Sequence, residues 1–137
     1  MSADTAPTRT ILVVDDQASN LHLQAGILRK AGFEVRTCDN GDAGMEVLEQ
    51  QKFDVVLLDI MLGGRSGLDM LELVRKGQRI NKDTPIIMYT SDGRSVVKQQ
   101  AAVLGASMFL DRPISPVKLL EAVGLMLGDD TGEPGQD

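Results

Sequence analysis

The chain has 137 residues, a net charge of −6 and one cysteine, Cys38. This length suffices for one domain with one core, and the negative charge argues against electrostatic binding to nucleic acid or to an anionic membrane. A single cysteine excludes an intramolecular disulfide. No apolar run approaches the roughly 20 residues of a membrane span, and residues 1–8 lack a signal-peptide pattern. We therefore expect a cytoplasmic protein.

Short apolar runs alternate along the chain with segments of helical periodicity. In chain order, the first half predicts strand Thr10–Val14, a helix from about Ala18 that Gly32 stops, edge strand Phe33–Thr37, a helix capped by Asp39 or Asn40, and strand Asp54–Leu58. The second half predicts a helix carrying Leu68, Leu71 and Val74, a polar loop over 77–84, strand Pro85–Thr90, helix Arg94–Leu104, strand Met108–Leu110, and a helix that opens at Ser115 and Pro116 and runs to about Leu127.

This strict alternation predicts an α/β fold with a doubly wound, five-stranded parallel sheet and helices on both faces. We expect one domain over residues 10–128. Residues 1–9 are predicted to be a flexible N-terminus. Residues 129–137 are predicted to be a flexible acidic tail, because they are acidic and carry almost nothing to bury.

Carboxylates follow two of the predicted strands. Asp15 and Asp16 end the first apolar run, and Asp59 ends the third. In a parallel sheet the carboxyl ends of neighbouring strands open into one crevice, so we expect the three acids to converge there. A hard cation such as Mg²⁺ would relieve their repulsion, and a carboxylate beside Mg²⁺ can accept a phosphoryl group. The alternative is that these acids are solvated loop residues or helix caps, Asp16 capping the helix near Ala18.

Further polar residues are predicted at the rim of the same crevice. The hydroxyls of Thr90 and Ser91 end the fourth strand and can donate hydrogen bonds to phosphoryl oxygens. Arg112 follows the fifth strand, where a cation would balance the acidic cluster and clamp a phosphoryl oxygen. The alternative for Arg112 is an ordinary surface position.

Four segments in this order resemble the receiver domain of bacterial two-component response regulators, over about Thr10 to Leu127. They are Ile11–Asp16, Leu57–Asp59 with Gly67 eight residues on, Pro85–Ser91, and Gly105–Ala106 leading to Arg112–Pro113. The resemblance implies a flavodoxin-like (βα)5 sheet in the order 2-1-3-4-5. It also implies a phosphohistidine donor on a sensor histidine kinase or phosphotransfer protein, and a downstream protein partner at the surface of helix 4, strand 5 and helix 5.

The resemblance assigns roles to six positions. It implies that Asp59 is the phosphoacceptor, and that Asp16, Asp59 and the backbone carbonyl of Met61 hold Mg²⁺ with help from Asp15. It implies that Thr90 is the switch hydroxyl and that Phe109 stands at the position of the switch aromatic. Beyond its own phosphorylation and dephosphorylation, no enzymatic activity is expected.

Two positions depart from the family pattern. Arg112 replaces the usual lysine, and its wide planar fork differs from a compact ammonium. Gly63 replaces a usual proline, which predicts a mobile loop after Asp59.

Other interpretations stay open at this point. The chain could be a phosphorylation-independent interaction module in which Arg112 permanently neutralises the acids, it could form a homodimer, and it could be part of a larger protein. A phosphatase of the haloacid dehalogenase type is disfavoured, because Met61 stands where that family has its second aspartate. His22, the single histidine, is interpreted as an exposed helix residue and not as a phosphodonor.

Overall fold

A computed structural model of the chain describes residues 8–62, 65–76, 79–90, 95–111 and 114–128. Five strands alternate with five helices in these ranges. They are β1 (Thr10–Val14), α1 (Ala18–Lys30), β2 (Glu34–Cys38), α2 (Gly41–Gln50), β3 (Val55–Asp59), α3 (Gly67–Arg75), β4 (Ile86–Thr90), α4 (Ser95–Leu104), β5 (Met108–Asp111) and α5 (Pro116–Met126).

All neighbouring strands pair in parallel, in the order β2-β1-β3-β4-β5. The predicted fold class and strand order are therefore confirmed. As expected, β2 is an edge strand, and it exposes Glu34, Arg36 and Thr37 while it buries Val35 and Cys38. The strand begins and ends one residue later than predicted, at Glu34 and Cys38.

The strands separate two mostly aliphatic cores on opposite faces of the sheet. Alternate residues of β1 point to opposite sides: Leu12 and Val14 join the core under α2, α3 and α4, whereas Ile11 and Val13 join the core under α1 and α5. This follows from the two-residue period of a strand. Both faces of the central strands are buried, which explains their nearly continuous apolar sequence.

The ends of the elements follow local sequence signals. Asn40 caps α2 through a hydrogen bond from the Ala43 amide at 2.7 Å, and Ser115 caps α5 through one from Lys118 at 3.1 Å, as predicted. Gly32 follows α1 with a φ of 102°, a conformation that favours glycine. β3 begins one residue later than predicted and includes Asp59.

Some predictions concern residues beyond these ranges. The flexible termini fall largely on residues 1–7 and 129–137, which are outside the described residues, so the predicted domain limits stay predictions. In the part of the chain that the structure describes, no helix combines the length and apolar character needed to cross a bilayer.

Candidate metal and phosphoryl site

The parallel pairing of β1 and β3 brings three carboxylates together. The last pair in register is Val14 opposite Leu58, so the two strands deliver Asp15, Asp16 and Asp59 to one edge of the sheet. Carboxylate oxygens of these three residues lie within 4.8 Å of one another. Asp15 and Asp59 are buried, whereas Asp16 is exposed. Two acids of the cluster are therefore shielded from solvent, and the third is in contact with it.

The chemistry of this cluster fits a hard divalent cation. Two unit negative charges about 4.8 Å apart repel each other by about 3–4 kcal/mol at an effective dielectric constant of about 20. The donors are all carboxylate oxygens, the ligand type that Mg²⁺ and Ca²⁺ prefer, and the exposed side allows water ligands. These three acids can hold such a metal.

Backbone amides hold two of the acids in place. The Met61 amide donates to Asp59 Oδ1 at 3.1 Å, and the Gln17 amide donates to Asp15 Oδ1 at 2.9 Å. The N-cap residue of α1 is Gln17 rather than Asp16, so Asp16 does not occupy the capping position. Met61 lies two residues after Asp59 with an exposed side chain; its carbonyl as a metal ligand stays a prediction.

The predicted switch residues lie on β4, which pairs with the strand of Asp59, and on β5, which pairs with β4. Thr90 is the last residue of β4, is buried, and pairs with Asp111 of β5. Phe109 of β5 is half-buried and packs against the core under α4. The ammonium of Lys98 on α4 lies 5.5 Å from the centre of the Phe109 ring and 3.1 Å from Asp111 Oδ2. Lys98 thus links α4 to β5 beside the predicted switch aromatic.

Three residues with predicted roles, Ser91, Arg112 and Gly63, lie outside the described residues, and these roles stay predictions. His22 is exposed on α1, as expected for an ordinary surface histidine.

The structure adds one residue that the sequence interpretation missed. Tyr89 is fully buried in β4, and its hydroxyl donates to Asp15 Oδ2 at 2.7 Å. The sequence did contain a signal for this residue: the chain is poor in aromatic residues, and its single tyrosine directly precedes Thr90 in a predicted buried strand. A buried phenol usually needs a hydrogen-bond partner, and the acids at the strand ends were the nearest candidates.

Comparisons with known proteins agree with this geometry. A family model described as response regulator receiver domain matches residues 11–124. The phosphate regulon transcriptional regulatory protein PhoB of Pseudomonas aeruginosa is 34% identical over 119 residues, which cover 87% of this chain and 52% of PhoB. The chain therefore spans about half the length of this curated relative.

Solved structures share the whole fold. The chemotaxis response regulator CheY4 of Vibrio cholerae superposes with a TM-score of 0.82 at 30% identity, covering 88% of this chain and 100% of that one. A CheY-like response regulator receiver domain protein from Methanospirillum hungatei gives a TM-score of 0.84 at 27% identity, covering 89% of this chain and 95% of that one.

Proposed function

This chain belongs to the response regulator receiver domain family, and we propose that it accepts a phosphoryl group on Asp59 from a sensor histidine kinase or phosphotransfer protein. Receiver domains are signalling phosphoacceptors of two-component systems and not classical enzymes. The observation that supports the proposal most directly is the convergence of Asp15, Asp16 and Asp59 within 4.8 Å at the carboxyl edge of the sheet.

Mg²⁺ is the proposed cofactor. Asp16 and Asp59 would hold it together with the Met61 carbonyl, and Asp15 would contribute directly or through a water molecule. When bound, the cation neutralises charge on the oxygens of the transferred phosphoryl group.

The residues of the chain then have separate tasks. The Asp59 carboxylate attacks phosphorus as the P–N bond to the donor's imidazole breaks, and the released nitrogen takes up a proton from solvent. The Met61 amide keeps Asp59 oriented through Oδ1. The buried hydroxyl of Thr90 is proposed to move toward the new phosphoryl oxygens, and Arg112 is proposed to pair with them.

The output surface is proposed to comprise α4, β5 and α5. Phosphorylation would shift Thr90 and Phe109 and thereby change this surface, to which a downstream protein would bind. The exposed apolar side chains of Val103 on α4, and of Val117 and Leu125 on α5, support a protein partner there.

The test is phosphorylation by a small-molecule phosphodonor in the presence of Mg²⁺, read by intact mass. We expect the parent to gain one phosphoryl group and Asp59→Asn to gain none. Asp54→Asn is the matched control, since Asp54 lies just before β3, at the opposite end from Asp59, where it accepts a hydrogen bond from the Thr10 amide at 2.8 Å. It should be labelled like the parent.

The same experiment separates this function from the phosphorylation-independent module. In that alternative Arg112 neutralises the acids, so the parent would take up neither phosphate nor a beryllofluoride mimic. Arg112→Lys should then restore labelling. If the parent is labelled and Arg112→Lys follows the same time course, the arginine is tolerated at this position.

A further inference from the structure

The side chain and the main chain of Tyr89 contact two different acidic strand ends. Its hydroxyl donates to Asp15 Oδ2 at 2.7 Å, beyond β1. Its backbone carbonyl accepts a hydrogen bond from the Ile60 amide at 3.0 Å, directly after β3, and Tyr89 is paired in register with Asp59. One buried residue of β4 is therefore bonded to both sides of the acidic cluster.

The carboxylate of Asp15 is held from two directions. Tyr89 contacts Oδ2, and the Gln17 amide contacts Oδ1 at 2.9 Å. The Asp15 amide also donates to the Cys38 carbonyl at 3.1 Å. Asp15 is fully buried, so a hydrogen bond from a phenol to its charged oxygen is made away from water, where charge-assisted bonds are strong.

Building on the function proposed above, we propose that Tyr89 is a positioning residue of the metal and phosphoryl site. It fixes the orientation of Asp15 toward Asp16 and Asp59, and so prepares the carboxylate cluster for the cation. Groups that hydrogen-bond to metal-binding carboxylates set their orientation, and their loss typically lowers metal affinity by about 10–100-fold.

Tyr89 is also a spectroscopic reporter of this site. The chain contains one tyrosine and no tryptophan, so its near-ultraviolet tyrosine absorbance comes from Tyr89 alone. The absorbance of a phenol depends on its hydrogen bond to a carboxylate. A cation that binds near the Asp15 carboxylate should weaken this hydrogen bond and therefore change the tyrosine spectrum.

The decisive variant is Tyr89→Phe, which keeps the ring and removes only the hydroxyl. Mg²⁺ affinity would be measured by calorimetry in the parent, in Tyr89→Phe and in Thr84→Val. Thr84→Val removes another buried hydroxyl, which donates to Asn81 at 2.9 Å before the opposite end of β4. We expect Tyr89→Phe to bind Mg²⁺ at least about tenfold more weakly than the parent and Thr84→Val to match the parent.

Two results would overturn the inference in different ways. A parent that binds Mg²⁺ and a Tyr89→Phe variant of equal or higher affinity would refute the role of Tyr89 and leave the proposed function standing. A parent that neither binds Mg²⁺ nor accepts a phosphoryl group would refute the proposed function and, with it, this role.

A second measurement covers the case in which Tyr89→Phe does not fold. Saturating the parent with Mg²⁺ should shift its near-ultraviolet tyrosine spectrum, and Asp15→Asn should reduce that shift. A tyrosine spectrum that stays the same in the parent while calorimetry detects bound Mg²⁺ would overturn the coupling between Tyr89 and the site.

Discussion

Gly67 packs so closely against Asp59 that a Cβ atom built on it would lie 2.2 Å from the Asp59 carbonyl oxygen. The Gly67 amide also donates to the Ile60 carbonyl at 3.0 Å. Real Cβ contacts essentially never fall under 3.0 Å, so the first residue of α3 can approach the end of β3 this closely only as glycine.

This contact predicts a large difference between two glycine-to-alanine substitutions. Gly67→Ala should lower the free energy of unfolding by about 1–3 kcal/mol or more, because the backbone of Asp59 and Ile60 must shift. Gly26→Ala on α1 meets open space and should instead raise it, by up to about 1 kcal/mol. Urea unfolding of the two variants measures both values. Equal stabilities would contradict the packing described here.

Mg²⁺ should stabilise the native state through the carboxylate cluster. A ligand that binds only the folded protein adds about 2.7 kcal/mol at 100 times its Kd, and therefore raises the melting temperature. Asp16→Ala and Asp59→Asn should reduce this gain, whereas Asp69→Asn on the exposed side of α3 should retain it. Melting curves with and without Mg²⁺ provide the measurement. An undiminished gain in Asp16→Ala would remove that residue from the proposed ligand set.

The sequence predicted much of the fold because its signals are local. Buried parallel strands give continuous apolar runs, helices give a 3.6-residue period, and Asn40 and Ser115 make the capping bonds expected of their residue types. The convergence of Asp15, Asp16 and Asp59 also followed from strand ends alone, because parallel topology places neighbouring carboxyl ends at one edge.

Contacts between distant segments were not predictable in the same way. The loop after α3 looked merely polar, but Asn81 is buried and its amide donates to the Leu48 and Gln51 carbonyls at 2.7 and 2.8 Å. Its side-chain oxygen accepts a hydrogen bond from the Phe53 amide. The bond between Tyr89 and Asp15 spans 74 residues, and no periodicity indicates such a pair.

Arg75 is predicted to be a structural arginine. At the end of α3 its guanidinium donates to the carbonyls of Gly105, Lys82 and Thr84 at 2.7–3.0 Å, and burial lowers its pKa from the usual value. Arg75→Lys keeps the charge but loses the planar fork, so we expect a loss of about 1–3 kcal/mol in unfolding free energy. Arg79→Lys changes an exposed ion pair with Glu49 and should cost less than about 1 kcal/mol. Similar losses in both variants would argue against the proposed role of Arg75.

Cys38 should make the fold more sensitive to alkaline pH. Burial raises the pKa of its thiol, with Arg36 acting in the opposite direction and Asp39 adding to the rise. The unfolded state therefore loses the proton first as pH rises. The stabilisation by the neutral thiol is complete below its unfolded pKa and is lost as pH climbs through the folded pKa. The unfolding free energy of the parent minus that of Cys38→Ala should fall with increasing alkalinity; a constant difference would contradict this.

Lys98 is predicted to bias the proposed switch rather than to stabilise the fold. Lys98 joins α4 to β5 by contacting Asp111 and the Phe109 ring. Because both Lys98 and Asp111 are well exposed, Lys98→Met should change the free energy of unfolding by less than about 1 kcal/mol. Removing the ammonium should nevertheless release Phe109 toward its activated arrangement, which is a shift between two populations. The NMR signals of the Phe109 ring in unphosphorylated Lys98→Met should therefore move toward those of the parent treated with beryllofluoride. The control is Lys118→Met on the exposed side of α5, which should leave the Phe109 signals unchanged. Ring signals in Lys98→Met that match the untreated parent would show that this contact does not restrain the switch.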